Sequence, residues 1–349
     1  MAMQPVDVAI VGAGIFGLCA AWACAARGKT VRVYEATHIG AGSSGGVVGA
    51  LSPHMPEAWN PKKAFQLNAL LSAQSFWQQV AAVSGLPTGY GRVGRIIPLH
   101  TARAADMAQD RAVAAQTLWQ GAATFQVHTC ARGLSAAHGV VAEDLTARLY
   151  PALAISALAR ALQVKGVEIV AQHPVAAPDD LPADQVIIAA GHQTRDICPE
   201  MAAIVRGVKG QAALLDYVLP ADMPVLFDNG LYVIGHGARG TAVGSTSENT
   251  WDHDGTDAQL DDILARAAQV MPALSGAKLR KRWSGIRPRG ALPDPVIGPI
   301  STRAWVFTGG FKIGFGIAHT LAADLAAMMD GVSVDLPDSF HLDRHRDRA

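Results

Sequence analysis

The stretch Val6–Glu35, VDVAIVGAGIFGLCAAWACAARGKTVRVYE, decides the fold. Its apolar run Val8–Val11 predicts a buried strand, and the uncharged segment 15–26 that follows predicts a helix. Residues 30–34 alternate in polarity and predict a second strand. Strand, helix and strand in this order form the βαβ unit of an α/β protein with a parallel sheet.

Three glycines between the first strand and the helix indicate a site for an adenine dinucleotide. Gly12, Gly14 and Gly17 have the spacing GxGxxG, which permits a tight turn, a close approach to a pyrophosphate and close helix–strand packing. The helix N-terminus attracts phosphate, and the carboxylate of Glu35 can accept hydrogen bonds from ribose hydroxyls while it repels a 2′-phosphate. The cofactor contacts predicted along this stretch are Gly12, Gly14, Ile15, Phe16, Gly17, Glu35 and Ala36.

Composition limits the class of protein. The chain has 349 residues, enough for two domains, and a formal net charge of zero, so it has no basic stripe for nucleic acid. The cysteines form no CxxC pair, which predicts buried small residues in a reducing compartment and no metal site. These cysteines are Cys19, Cys24, Cys130 and Cys198.

The uncharged stretch 8–26 could be mistaken for a signal peptide or a membrane span. Asp7 precedes it where a signal peptide would carry basic residues, and glycines interrupt it at dinucleotide spacing. We therefore expect a cytoplasmic protein without a membrane span.

Two further glycine-rich segments, 40–49 and 309–316, favour FAD over NAD as the cofactor. NAD would explain residues 12–35 but would leave these segments without a role. FAD is longer, and its isoalloxazine ring must be held far from the adenine. A third contact is expected where the apolar strand 185–190 ends at Gly191, since the tip of a central parallel strand meets the ligand. The chain contains a single dinucleotide fingerprint, so electrons should come directly from an organic substrate.

The alternation of strands and helices is interrupted twice, which predicts an inserted second domain. We assign 1–58, 136–206 and 284–345 to a discontinuous FAD-binding domain, and 59–135 and 207–283 to a substrate domain. Within these segments the patterns predict a helix over 144–163 and a strand over 279–283. The charged residues from Asp338 onward are expected to form a solvated tail.

The chain resembles the FAD-dependent amine and amino-acid oxidases of the D-amino acid oxidase/glycine oxidase superfamily. The resemblance covers nearly the whole chain, with the family's segments in the family's order. The matching segments are VAIVGAGIFGLCAAWACAARG…VRVYE, GAGSSGGVVGALSP, VIIAAG, GVKGQ, LYVIG…TAVGSTSE, WSGIRPRGALPDPVIGPI and FTGGFKIGFG.

The resemblance implies a Rossmann-like FAD-binding domain with an inserted antiparallel-sheet α+β substrate domain. FAD should be bound non-covalently, because the C-terminal glycine-rich segment contains no cysteine. The further cofactor contacts expected are Ser43, Ser44, Gly49, Leu51, Ala190, Gly191, Gly310, Phe311, Lys312 and Gly314.

Three catalytic positions follow from the resemblance. Arg287 stands where the family places the arginine that holds the substrate carboxylate, and a guanidinium suits two parallel charged hydrogen bonds. The alternative is a salt bridge or a packing arginine, the role expected for Arg282 and Arg289. Tyr232 matches a strand position whose tyrosine can face the substrate, although a core tyrosine is nearly as consistent with the pattern.

Lys312 departs from the family pattern. Glycine oxidase-like proteins have an arginine here followed by an asparagine, whereas this chain has Lys312 and Ile313, and Gly310 replaces a histidine. The lysine could stabilise negative charge on the flavin, assist the reaction with oxygen, or be an ordinary solvated lysine. The change puts glycine in doubt as the substrate. For His54 we favour a turn cap over a pocket residue.

The chemistry that the resemblance implies is oxidation of a C–N bond by hydride transfer to flavin N5. The substrate would be a small amino acid or secondary amine, and O₂ or another acceptor would reoxidise the flavin. Two alternatives remain: a non-catalytic or complex-bound FAD subunit, and an oxidase acting on an aminomethyl group of modified tRNA, which the neutral charge disfavours. An oligomer is compatible with the sequence.

Overall fold

Strands and helices both occur throughout the chain in the computed structural model, which describes residues 4–129 and 133–349. The strands of these residues are β1 (Val6–Val11), β2 (Val31–Tyr34), β3 (Ala50–Leu51), β4 (Gly91–Arg92), β5 (Arg95–Pro98), β6 (Phe125–His128), β7 (Val140–Glu143), β8 (Ala147–Arg148), β9 (Glu168–Val170), β10 (Ala183–Ile188), β11 (Arg206–Leu215), β12 (Val225–Asp228), β13 (Leu231–Gly235), β14 (Thr241–Gly244), β15 (Leu279–Arg289), β16 (Val296–Pro299) and β17 (Ala304–Thr308). The helices are α1 (Ile15–Ala26), α2 (Pro61–Ser84), α3 (Ala102–Leu118), α4 (Pro151–Val164), α5 (Thr194–Ile197), α6 (Ala258–Val270), α7 (Gly314–Met329) and α8 (Leu342–Arg346).

A six-stranded sheet contains the predicted βαβ unit. Its order is β16-β17-β10-β1-β2-β9, and all neighbours are parallel except β16, which is antiparallel to β17. Both faces are buried, because Val8 and Ile10 of β1 belong to one core cluster and Ala9 and Val11 to another. The Rossmann-like fold predicted from residues 6–35 is confirmed.

A mostly antiparallel sheet of eight strands forms the second layer. Its order is β15-β11-β14-β13-β12-β5-β7-β6, and only the pair β5 and β12 is parallel. The mixed α/β class with an inserted antiparallel sheet is therefore confirmed. A third small sheet, β3-β8-β4, lies where residues 50–51 meet the inserted segments.

Strand β15 continues beyond residue 283, where the sequence analysis ended it. It runs to Arg289 and pairs with β11 along its whole length, with Arg287 opposite Val208. Gly285 and Pro288 lie within this extension. Because β15 is an edge strand, a proline without an N–H group is tolerated there. The extension carries Arg287 on a rigid strand rather than a loop.

Two other sequence expectations were wrong. The helix predicted over 144–163 begins at Pro151, because residues 147–148 pair with β3 and β4 instead. The residues from Asp338 onward are not a solvated tail. Phe340 is 0% and Leu342 2% exposed, and Leu342 helps to cover one face of the parallel sheet.

The predicted burial of the cysteines is confirmed for the three that the structure describes. Cys19, Cys24 and Cys198 are buried free thiols, and burial raises the pKa of each. Cys130 lies outside the described residues. Within 4–129 and 133–349, no helix is both long enough and apolar enough to cross a membrane.

Candidate active site

The tip of β1 meets the tip of β10 at a point that only glycine can occupy. Gly12 has φ 109°, and a Cβ there would lie 2.5 Å from the carbonyl oxygen of Ala189. A Cβ on Gly17 would lie 1.9 Å from the carbonyl oxygen of Gly12. The first and third glycines of GxGxxG thus bring the turn, the strand and α1 into backbone contact.

The N-terminus of α1 is bound by two distant side chains. Ser44 Oγ accepts from the N–H of Ile15 at 3.0 Å. Glu35 Oε2 accepts from the N–H of Ala13 at 2.9 Å, and its Oε1 accepts from the N–H of Thr37 at 3.0 Å. The 40–49 segment and the end of β2 therefore both lie at the mouth of the βαβ crevice.

The 309–316 segment reaches the same place. A Cβ on Gly310 would lie 2.5 Å from the ring of Phe16, and the Cβ position of Gly314 is 3.5 Å from that ring. Thr308 Oγ1 donates to the carbonyl of Gly191 at 2.9 Å, which joins the tips of β17 and β10. All three glycine-rich segments and the tip of β10 thus converge at one crevice.

The crevice suits a long phosphate-containing cofactor. Helix α1 begins after Gly14, which has no side chain, and its first turn contains no acid, so no residue of the helix itself cancels the partial positive charge at its N-terminal end; the carboxylate of Glu35 contacts the preceding Ala13. A Cβ atom built on Gly14 would have only the side chain of Ser44 within 4 Å. These features fit FAD, whose phosphates suit the N-terminus of α1.

A cavity of about 180 Å³ opens beside this crevice. Two of the three candidate catalytic residues, Tyr232 and Lys312, line it, together with side chains from the 50–54 segment, α2 and β5, whereas Arg287 is not among the lining residues. Its wall consists of Ala50, Leu51, Ser52, Pro53, His54, Gln66, Arg95, Tyr232, Lys312, Ile313 and Gly316. The structure thus unites residues that are far apart in the sequence.

His54 belongs to this cavity, although the sequence favoured a turn cap. Its backbone N–H donates to Gln66 Oε1 at 2.9 Å, and its Nδ1 contacts the same oxygen. Gln66 is 2% exposed and donates in turn to the carbonyl of Ser52 at 3.1 Å. Burial lowers the pKa of His54. The imidazole is therefore neutral near pH 7 and held in a fixed orientation.

Arg95 and Glu143 form a buried ion pair in the cavity wall that the sequence analysis missed. Arg95 Nε lies 2.9 Å from Glu143 Oε1, and the side chains are 3% and 0% exposed. Glu143 Oε2 also accepts the N–H groups of Leu145 and Thr146. The pairing follows from the register of β5 and β7, in which the two residues are opposite each other. No local sequence signal reveals that register.

Arg287 is half-buried on β15 and makes hydrogen bonds that fix its guanidinium. Its Nη2 donates to Ser245 Oγ at 2.6 Å and its Nη1 to the carbonyl of Thr246 at 3.2 Å. Gly210 lies against it, and a Cβ there would be 2.1 Å from Nη2. Burial lowers the pKa of Arg287 to about 10, so it remains charged at neutral pH.

A polar network supports the segment that holds Arg287. Lys209 is 1% exposed, and its Nζ lies 3.4 Å from Glu248 Oε2 and 2.9 Å from Asp257 Oδ2. Gln211 donates to both acids at 3.0 and 2.8 Å, and the hydroxyl of Thr246 donates to Glu248. Sequence reasoning did not find this network, because its members come from three separate segments.

Arg282 and Arg289 differ in their surroundings. Arg282 pairs with Asp261 at 2.9 Å on the exposed part of β15. The guanidinium carbon of Arg289 lies 5.5 Å from the centroid of the Phe311 ring, and Lys312 Nζ lies 5.4 Å from the same centroid. Lys312 is exposed within the cleft. Desolvation lowers its pKa, and Arg287 and Arg289 lower it further.

Tyr232 is half-buried on β13 and lines the cavity. Burial raises the pKa of its phenol, so the hydroxyl is protonated at neutral pH and can donate a hydrogen bond. Arg95 and Arg287 both act on this phenol electrostatically and lower its pKa. The charges of Arg95 and Arg287 therefore both reach the phenol of Tyr232.

Comparison with known proteins agrees with the crevice and its glycines. The family model described as DAO, FAD dependent oxidoreductase, matches residues 7–328. The chain therefore belongs to the FAD-dependent oxidoreductases of this family, and the predicted cofactor, FAD, is confirmed.

Among curated relatives, glycine oxidase of Geobacillus kaustophilus is 26% identical over 374 residues, covering 97% of each chain. The tRNA 5-methylaminomethyl-2-thiouridine biosynthesis bifunctional protein MnmC of Maricaulis maris is 27% identical over 93% of this chain. This chain covers 52% of that bifunctional protein's length. The similarity therefore extends to enzymes of different overall architecture.

Solved structures show the same fold at lower identity. Glycine oxidase from Geobacillus kaustophilus superimposes with a TM-score of 0.86 at 21% identity, covering 97% of this chain and 99% of the other. Iminodiacetate oxidase from Chelativorans sp. BNC1 gives 0.84 at 21% identity, with coverage of 96% and 98%. The Rossmann-like domain and the inserted sheet are thus shared with these oxidases.

Proposed function

We propose that this protein oxidises a C–N bond of a small amino acid or secondary amine, with Arg287 binding the substrate carboxylate. The observation that carries the proposal is the guanidinium of Arg287. Hydrogen bonds to Ser245 and Thr246 fix it, and no carboxylate lies within 4.0 Å of it among the described residues. Its positive charge lowers the pKa of the pocket residues Tyr232 and Lys312. A fixed, half-buried guanidinium is suited to binding a carboxylate.

The residues of the chain position the substrate, and FAD supplies the hydride acceptor, flavin N5, when bound. Arg287 would hold the carboxylate, and the hydroxyl of Tyr232 would donate a second hydrogen bond to it. The amine must be neutral to release a hydride. His54 is neutral, so this side chain adds no charge to the pocket wall that would repel or trap the amine. Catalysis then depends on position and electrostatics rather than on a protein base.

The cofactor assignments along the crevice also belong to this proposal. Glu35 would bind the ribose, since each oxygen retains capacity beyond the single N–H that it accepts. Ala36 follows it at the surface. Gly49, whose Cβ would lie 2.4 Å from the carbonyl of Leu149, and the buried Leu51 would lie under the flavin ring. We propose non-covalent binding, and acid precipitation that leaves yellow colour in the protein pellet would contradict it.

The substrate range follows from the relatives only as a proposal. Glycine oxidase and iminodiacetate oxidase act, by their names, on small amino and imino acids. Electrons would pass on to O₂ or another acceptor.

The test is an anaerobic screen with D-amino acids, N-methyl amino acids, imino acids and hydroxy acids, read by the flavin absorbance. Bleaching by an amino or imino acid supports the proposal. A flavin that none of these compounds bleaches would leave the alternative of a non-catalytic or complex-bound FAD subunit.

A tRNA substrate is the second candidate, and one observation favours it: the similarity to the bifunctional MnmC protein. Adding modified tRNA to the same anaerobic screen separates the two. Bleaching by tRNA but not by free amino acids would replace the first candidate with the second.

A further inference from the structure

Three cationic side chains lie near one another beside the cavity. Arg287 and Arg289 are two residues apart on β15 and so project from the same face of the strand. Lys312 comes from the loop between β17 and α7, and its Nζ lies over the same Phe311 ring as the guanidinium of Arg289. The charged groups that shift the pKa of Lys312 are Arg287 and Arg289, which are both positive and lower it.

None of the three has a carboxylate within 4.0 Å among the described residues. The acid whose charge raises the pKa of Arg287 is Glu248. This carboxylate already forms an ion pair with Lys209 and accepts a hydrogen bond from Thr246. The arginine on the opposite cavity wall, Arg95, is fully paired with Glu143. Like charges held together without counterions repel each other, so this cluster is suited to receive negative charge from a ligand.

The protein holds the cluster together against that repulsion. Phe311 has φ 40°, a left-handed conformation that is unfavourable for a bulky residue, and its N–H donates to the carbonyl of Pro288 at 3.0 Å. Pro288 lies between Arg287 and Arg289. This bond therefore fixes the loop that carries Lys312 against the strand that carries the two arginines.

The cavity offers space for a ligand with more than one acidic group. Lys312 lines the cavity of about 180 Å³ together with Tyr232 and His54. A single substrate carboxylate on Arg287 would leave Lys312 and Arg289 without negative charge. A second carboxylate on the same substrate would satisfy the lysine, whose flexible ammonium can adjust to its position.

We propose that the preferred substrates are amino or imino acids with two carboxylates, one bound by Arg287 and the other by Lys312. This inference rests on the proposed amino-acid oxidation at the same site. Lys312 is thereby assigned to bind the second carboxylate, in place of the three roles that the sequence left open for this lysine.

A binding experiment tests the charge requirement without turnover. Malonate and acetate are titrated into the FAD-loaded enzyme, and binding is followed by calorimetry and by perturbation of the flavin spectrum. We expect malonate to bind at least about tenfold more tightly than acetate, because it can make a second charged contact. In Lys312→Met this ratio should fall about tenfold, and in Lys312→Arg it should be largely retained. Lys281→Met removes an exposed cation from the far end of β15 and should leave the ratio unchanged.

The kinetic experiment compares iminodiacetate with sarcosine, which has a methyl group in place of the second carboxymethyl group. We expect kcat/KM for anaerobic flavin reduction to be at least about tenfold higher for iminodiacetate, and the preference to be lost in Lys312→Met. The screen also includes both enantiomers of aspartate, with the corresponding asparagines as neutral controls.

The outcomes separate this inference from the proposed function. If sarcosine or glycine reduces the flavin as well as any dicarboxylate does, and malonate binds no better than acetate, the inference is overturned and the proposed function stands. A preference that survives in Lys312→Met also overturns it. If no amino or imino acid reduces the flavin, the proposed function fails and the inference falls with it.

Discussion

At the scale of single residues, the site depends on how each charge is balanced. Arg95 and Lys209 are almost fully buried and each has an acidic partner. Arg287 is instead fixed by the neutral groups of Ser245 and Thr246. Neutral hydrogen bonds orient a guanidinium without cancelling its charge, so Arg287 remains available to an anion.

Replacing Arg287 by alanine should raise KM for carboxylate substrates about 30-fold or more. The reason is that charged hydrogen bonds contribute about 2 kcal/mol or more. Steady-state kinetics with carboxylate substrates and with amines that lack the carboxylate measure the effect. Arg282→Ala is the matched control, because Arg282 is a cation on the same strand whose charge is already paired with Asp261. An unchanged KM in Arg287→Ala would remove this residue from the substrate site.

Lys209→Met should lower the free energy of unfolding by about 3 kcal/mol, because it leaves Glu248 buried without a positive partner. Urea unfolding of the FAD-saturated protein measures the change. The double variant Lys209→Met/Glu248→Gln removes both charges and should recover a large part of the loss. No recovery would mean that the ion pair is not the source of the effect.

At the scale of elements, the turns and loops that meet at the crevice depend on glycines with no room for a side chain. A Cβ on Gly45 would lie 2.4 Å from the carbonyl of Gly40, whereas Gly42, in the same loop, has open space around its Cβ position. The loop can keep Ser44 at the N-terminus of α1 only while that close backbone contact is preserved.

Gly45→Ala should therefore weaken FAD binding about tenfold, equivalent to about 1.4 kcal/mol of distortion transmitted to Ser44. Gly42→Ala is the control and should keep a Kd close to that of the parent protein. Fluorescence titration of the FAD-depleted protein with FAD gives both constants. Equal constants for the two variants would show that the loop does not contribute to the cofactor site.

Sequence patterns predicted most elements because the signals are local. Residues 6–35 combine apolar runs with glycine spacing, and both have direct backbone consequences. The extension of β15 past residue 283 was missed; it includes Pro288, which an edge strand tolerates. The pairs Arg95–Glu143 and His54–Gln66 depend on sheet register and on packing between distant segments. A single sequence carries no direct signal for either.

At the scale of the whole molecule, buried neutral histidines tie distant parts together. His236 is 6% exposed, its Nε2 lies 2.9 Å from the carbonyl of Val47, and its ring packs on Tyr150. The side chain of His345, in the segment once expected to be solvated, accepts from the N–H of Leu292 at 3.2 Å and donates to the carbonyl of Pro295 at 3.0 Å. Burial lowers the pKa of both histidines, that of His236 to about 4.

The protein should therefore lose stability as the pH falls below about 6.5, because the unfolded chain binds protons that the folded His236 excludes. The loss from this residue should reach the order of 2 kcal/mol at pH 5. Urea unfolding of the FAD-saturated protein at pH 7.5 and 5.0 measures the pH effect. His236→Gln keeps a donor for the carbonyl of Val47 but cannot titrate. The stability that this variant loses between pH 7.5 and 5.0 should therefore be smaller by about 2 kcal/mol. An identical loss in both proteins would contradict the assignment.

We propose that the three glycine-rich segments converge on one FAD molecule and that Arg287 faces the substrate side of its ring. The most direct measurement is a crystal structure of the purified yellow protein. We expect FAD with its pyrophosphate at residues 12–15, its ring against residues 49–51 and 310–312, and the substrate cavity between the ring and Arg287. A crevice without FAD, or a flavin ring that Arg287 and Lys312 cannot reach across that cavity, would contradict it.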